Sequence, residues 1–302
     1  MTVRFLILGA VLPVALAAQD TTTAKGSLLI ADRSAATSET ELRRAMSPVA
    51  VVLLPGEQVL RGVSEWTTRL TALATAPEGR AAWTPVHAVV SRDGGFGCTT
   101  GVLRQVATDS AQPTTGRYAA CWHREGGGNW RMFALSRAVA PPSVKSLPDS
   151  LPGGPGSTGV AAPRDAHPAF EMTEADRLFG RFSADSGGPA GAFSRWIAAD
   201  GMMLGARAAP VRGPEQVRQA FATFPASGHF AWAPLEALTT ASVDGSLGFT
   251  IGEARIAATP DQATFSKYLT IWRRESDGRY RWVFDIGSDR PAPSGRPSPS
   301  SR

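Results

Sequence analysis

Residues 268–287 read YLTIWRRESDGRYRWVFDIG, and about 150 residues earlier residues 118–136 read YAACWHREGGGNWRMFALS. In each, aromatic and β-branched residues alternate with polar ones on both sides of a Gly-containing turn, the pattern of two antiparallel strands joined by a hairpin. One position differs in kind between the copies. Asp285 in the second stands where Leu135 stands in the first.

The repetition continues upstream in the same order. AAWTPVHAVVSRDGGFGCTTG from Ala81 matches FAWAPLEALTTASVDGSLGFTIG from Phe230, pairing Trp83 with Trp232, Pro85 with Pro234 and Gly101 with Gly252. RGVSEWTTRL from Arg61 corresponds to RGPEQVRQAF from Arg212, a turn leading into a helix in each case. A period this long is a duplicated domain rather than a solenoid repeat. Between the copies, residues 140–168 are dense in Pro, Gly and Ser and read as a linker that buries little surface. Residues 291–302 read as a disordered tail by the same reasoning. The copies are then expected over 26–139 and 169–290.

At 302 residues, with 43% hydrophobic and 19% charged residues, the chain has room for two ordinary cores. The net charge of +5 comes from scattered Arg, and without a basic cluster interleaved with aromatics it points to a solvated surface and not to nucleic acid. Arg4, an apolar run from Phe5 to Leu16, and Ala15-Leu16-Ala17 have the layout of a signal peptide over residues 1–17. The run is short for a membrane span, so cleavage is expected in preference to an uncleaved anchor, with no stable span after cleavage and a periplasmic or secreted mature protein. Cys98 and Cys121, the two cysteines, both fall on strand-like stretches. A cross-strand disulfide and a pair of buried thiols are both open readings.

Within the second copy, TEADRLFGRFSADS has Thr173 as a candidate N-cap and spaces Ala175, Leu178, Phe179 and Phe182 as a helical face. GPAGAFSRWIAAD and PEQVRQAFATF give two more helices, and three long extended segments with RYRWVFDI make a meander of strands. Helices first and an antiparallel sheet last define an α+β class.

This order, with AFSRWIAADGMML leading to PVRG and the closing TIWRRESDGRYRWVFDIG, resembles the nuclear transport factor 2-like superfamily, and in particular its SnoaL-like bacterial branch. The resemblance implies two cone-shaped domains, each a bent antiparallel sheet wrapped on N-terminal helices around a cavity. It also implies a family of ketosteroid isomerases, polyketide cyclases, dehydratases and domains that only bind or dimerise. Fold alone therefore leaves function open.

An isomerase of that kind needs a carboxylate base a few residues after the helix-ending acid. Counting from Asp200 reaches Gly205, which carries no acid. Some cyclases place an acid on a late strand, where Asp285 is the nearest match. Strict alternation, however, turns Asp285 away from the side of Trp282 and Phe284. Glu236 shares strand parity with Trp232 and Leu238, so an inward carboxylate is expected there, with His87 its counterpart in the first copy. Trp232, Tyr268 and Trp272 are expected on an inward face, as core or as an apolar ligand wall. No phosphate-binding loop or metal-ligand spacing occurs, and no cofactor is expected.

The leading expectation is a small hydrophobic or amphipathic molecule held in the second cone, with the first copy as scaffold and the two copies paired as an internal pseudo-dimer, or the chain paired as a homodimer. A cofactor-independent cyclase, isomerase or hydratase using Glu236 or Asp285, and a non-catalytic interaction module, are the other readings.

Overall fold

Two α+β units follow one another along the chain. The computed structural model describes residues 12–75, 81–105, 114–140, 151, 153–156, 158–205, 209–259 and 262–293. Most of the expected leader and of the 291–302 tail lie outside the described residues. Among the described residues no helix is long and apolar enough to cross a membrane.

The first unit comprises α1 (Leu12–Ala35), α2 (Glu39–Ala45), β1 (Met46–Leu53), β2 (Val59–Arg61), α3 (Gly62–Thr75), β3 (Ala81–Val90), β4 (Phe96–Gln105), β5 (Thr114–Arg124) and β6 (Trp130–Val139). The second comprises α4 (Pro168–Phe182), a π turn at Ser183–Gly187, α5 (Gly188–Trp196), β7 (Ile197–Met203), β8 (Val211–Arg212), α6 (Gly213–Ala220), β9 (His229–Pro234), a 3₁₀ turn at Glu236–Leu238, β10 (Thr240–Ala241), β11 (Leu247–Thr259), β12 (Gln262–Arg274) and β13 (Tyr280–Asp289). The sheets run β2-β1-β6-β5-β4-β3 and β10-β11-β12-β13-β7-β8, with β9 on β11. They are not purely antiparallel. β1 lies parallel to β6, and β7 parallel to β13, the chain between each pair crossing over through a helix and the intervening strands.

Each sheet has two buried faces. In the first unit one face, with Trp122, Met132 and Leu135, closes over Ala24 and Leu28 of α1, so the helix enters the core two residues ahead of the expected start at 26. In the second, Trp272 and Trp282 close over Met172 and Phe179 of α4. The outer faces meet in a third core where Cys98, Ala134 and Phe96 of one sheet face Phe249, Leu269, Ile271 and Phe284 of the other. The hairpin turns of the two units also meet: Asp93 N–H donates to Asp244 Oδ2 at 2.9 Å, and Asp244 N–H donates to Asp93 Oδ2 at 3.2 Å.

Cys98 and Cys121 are direct cross-strand partners and are joined by a disulfide in this middle layer. Replacing both by Ala is expected to lower unfolding free energy by about 2–4 kcal/mol, since the bond closes a loop 23 residues long in the unfolded chain. Urea titration checks this; an unchanged midpoint in the double variant would show that the bond contributes nothing.

The second half of the linker is irregular yet docked. Leu151 and Pro155 are buried, Gly156 N–H donates to Asp200 Oδ2 at 3.0 Å, and Val160 N–H donates to the Arg274 carbonyl at 2.9 Å. At Gly159 an added Cβ would lie 2.3 Å from the Ser246 carbonyl oxygen. Asp200 itself sits on β7 and not at a helix end; it pairs with Arg273 at 2.8 Å. Thr173 is also not a cap, since α4 begins at Pro168 and the Thr173 hydroxyl bonds back to the Ala169 carbonyl within the helix.

Candidate functional site

The inner face of the second sheet is set by two local features. On β12, alternation places Tyr268, Thr270 and Trp272 inward and Leu269 and Ile271 toward the other unit. On β13 the pairing slips: Trp272 opposes Trp282 but Ile271 opposes Phe284, leaving Val283 as an extra bulged residue. A bulge reverses parity for everything after it. Trp282 therefore points into the cone, Phe284 into the layer between the units, and Asp285 back into the cone. This corrects the expectation from strict alternation. The first unit has a matching slip at Phe133, and Leu135 accordingly faces its own core.

Asp285 lies directly across from Thr270, whose hydroxyl donates to Asp285 Oδ2 at 2.6 Å. Burial raises Asp285 to about 6, with the Thr270 hydrogen bond pulling the other way. The carboxylate borders a cavity of about 390 Å³, walled by Phe193, Phe221 and Phe230 of the second unit and by Pro55 and Val139 of the first. A smaller extension of about 50 Å³ continues toward Trp232 and Tyr268. Trp232, Tyr268 and Asp285 thus come together, while Trp272 sits behind them as fully buried core.

Glu236 does not join them. Pro234 ends β9, and Glu236 opens the 3₁₀ turn with its side chain 74% exposed, paired to Arg177. Strand parity failed because the strand stops two residues short. His87, its counterpart, lies where the units meet and stacks on Phe284 with ring centroids 6.5 Å apart.

A second buried acid went unread in the sequence. Asp176 on α4 is completely buried beneath the cavity and accepts a hydrogen bond from Tyr268 Oη at 2.9 Å. The expected apolar stripe is rotated: Leu178 is exposed, and Met172, Asp176 and Phe179 face the sheet. Gly252 makes the arrangement fit, since a Cβ there would lie 2.2 Å from the Tyr268 hydroxyl. Burial raises Asp176 to about 7; Thr250 and Tyr268 oppose this, and the charge of Asp285 adds to it.

The first unit repeats this network. Tyr118 Oη donates to Asp32 Oδ2 at 2.6 Å and Trp83 Nε1 donates to Asp32 Oδ1 at 2.8 Å. Trp122 Nε1 donates to Thr99, as Trp272 Nε1 donates to Thr250. The signal in the sequence was the shared tripeptide Ala-Asp-Arg at 31–33 and 175–177, which extends the duplication into the helices. Among the described residues no group of His, Cys, Asp and Glu side chains could hold a metal ion.

The fold and site define a tandem α+β protein whose second unit keeps a cavity edged by an acid. Solved structures similar to it each span a share of the chain close to one unit. They include a nuclear transport factor 2-like protein of unknown function from Pseudomonas putida KT2440, 17% identical over 43% of this chain and 98% of that one, TM-score 0.35. A nuclear transport factor 2-like superfamily protein from Salmonella enterica serovar Typhimurium is 19% identical over 41% and 97%, TM-score 0.32. A putative ketosteroid isomerase from Parabacteroides distasonis is 16% identical over 39% and 87%, TM-score 0.31. No protein-family model and no curated protein sequence matches the chain.

Proposed function

We propose that the second unit binds a small, largely apolar organic molecule in its cone, with Asp285 as the polar contact and the first unit as the scaffold that closes the cavity mouth. One observation carries this: Asp285, a buried acid, borders a cavity of about 390 Å³, a volume in the range of small-molecule sites, at the position where the first unit places the buried core residue Leu135. The units act as an internal pseudo-dimer in this reading, since their outer sheet faces bury one another. A periplasmic or secreted location is part of the proposal, supported by the leader-like first residues and the disulfide.

Native mass spectrometry of protein purified from its host is the test. A retained small molecule is expected, absent from Ser266→Phe, which fills the space where the cavity and its extension join. No extra mass on either protein, or the same extra mass on both, would sink the reading.

The raised pKa of Asp285, with Asp176 close by, favours proton transfer as a second reading. On that reading Asp285→Asn removes turnover of the retained molecule while far-UV circular dichroism is unchanged; full turnover in the variant would leave binding alone.

A further inference from the structure

We propose that the cavity selects an organic cation, a small apolar amine whose ammonium group sits against Asp285 and whose carbon skeleton lies among Phe193, Phe230 and Trp232. The inference rests on the reading of the cone as a ligand site and adds the chemistry of the ligand.

Hydrogen-bond accounting carries it. The Thr270 hydroxyl spends its one proton on Asp285, and the Tyr268 hydroxyl spends its one proton on Asp176. What these side chains then present to the cavity is lone pairs. With the Asp285 carboxylate they form a set of acceptors, so the complementary ligand brings donors, and an ammonium brings up to three. With Asp285 ionised, as it is at pH 8, a ligand offering only a carbonyl or carboxylate would find oxygen facing oxygen.

Charge points the same way. Among the described residues lining the cavity and its extension, the ionisable side chains are Asp285, Asp289 and Tyr268, with no Lys, Arg or His. Asp176, behind Tyr268, adds a second buried carboxyl. Two acids without a cation are held toward their neutral forms by burial, and a bound cation would compensate both.

The walls fit as well. Phe193, Phe230 and Trp232 converge, with ring centroids 5.1 Å apart for Phe230 and Trp232, 5.2 Å for Phe193 and Trp232, and 5.7 Å for Phe193 and Phe230. A desolvated cation is attracted to such rings. The first unit has Leu135 at the position of the acid, consistent with a site confined to the second unit.

The test is isothermal titration of the whole mature chain at pH 8 with 2-phenylethylamine, 2-phenylethanol and 3-phenylpropionate, using wild type, Asp285→Asn, Asp285→Leu and Ser266→Phe. The amine is expected to bind wild type at least about tenfold more tightly than the alcohol, with the carboxylate weakest. Both Asp285 variants should lose that preference and keep the alcohol's affinity. Asp285→Leu guards against misfolding, because leucine is the residue the first unit carries there. Alcohol or carboxylate binding as tight as the amine's overturns the cation assignment and leaves the ligand site standing. Binding of none of the three, with wild type and Ser266→Phe alike, overturns both.

Discussion

Between pH 5 and pH 8 the folded protein is expected to lose about 4 kcal/mol of stability through Asp176 and Asp285 alone. Both carboxyls titrate at an ordinary 3.8 in the unfolded chain and at about 7 and about 6 in the fold. Over that interval the folded state holds protons that the unfolded state has released. Their contribution is complete below about 3.8 and is lost as pH rises through the folded values, so raising the pH favours unfolding. Asp32, raised by burial in the first unit, acts in the same direction. His123, lowered by burial, acts in the opposite one, since its unfolded form takes up a proton first as pH falls.

Comparison with variants isolates the effect. Asp285→Leu should remove roughly a third of the loss, and the double change with Asp176→Asn nearly all of it. Urea unfolding at both pH values measures this. A wild-type loss undiminished in the double variant would show that neither acid is held protonated. Asp285→Leu should also leave the protein more stable at pH 8, which is the behaviour of a residue retained for its site at a cost to the fold.

Lys267→Met is expected to lower stability by about 3–5 kcal/mol. The Lys267 side chain is completely buried, and Nζ donates to the carbonyls of Leu54 at 2.7 Å, Glu57 at 2.8 Å and Asp289 at 2.8 Å. The first two belong to the turn after β1, so one ammonium ties a loop of the first unit to the sheet of the second. Methionine preserves the stem volume and leaves three carbonyls without their charged donor. Pro55, in the same turn, walls the cavity, so ligand affinity should fall with stability. A change under about 1 kcal/mol would show that water satisfies these carbonyls equally well.

Much of the architecture was legible because duplication is a property of order, and order survives divergence. Trp83 and Trp232, Pro85 and Pro234, and the two closing hairpins identified two copies without any knowledge of packing. The succession of helices and then strands followed from periodicities of 3.6 and 2, which are local. Where a local rule was carried past its element it failed. Glu236 was assigned to a strand that Pro234 had already ended, and Leu178 was assigned to a helix face that tertiary contacts had turned outward.

By itself, then, the sequence determined the duplication, the α+β class and the inward placement of Tyr268 and Trp272, since these depend on neighbours in the chain. Only the tertiary structure decided which way Asp285 faces and that Asp176 is buried. The side of a residue after a bulge depends on one slipped pair between two strands, and nothing in the alternation of either strand marks the slip. The burial of an acid on a helix depends on Tyr268, a partner 92 positions away, holding it in place.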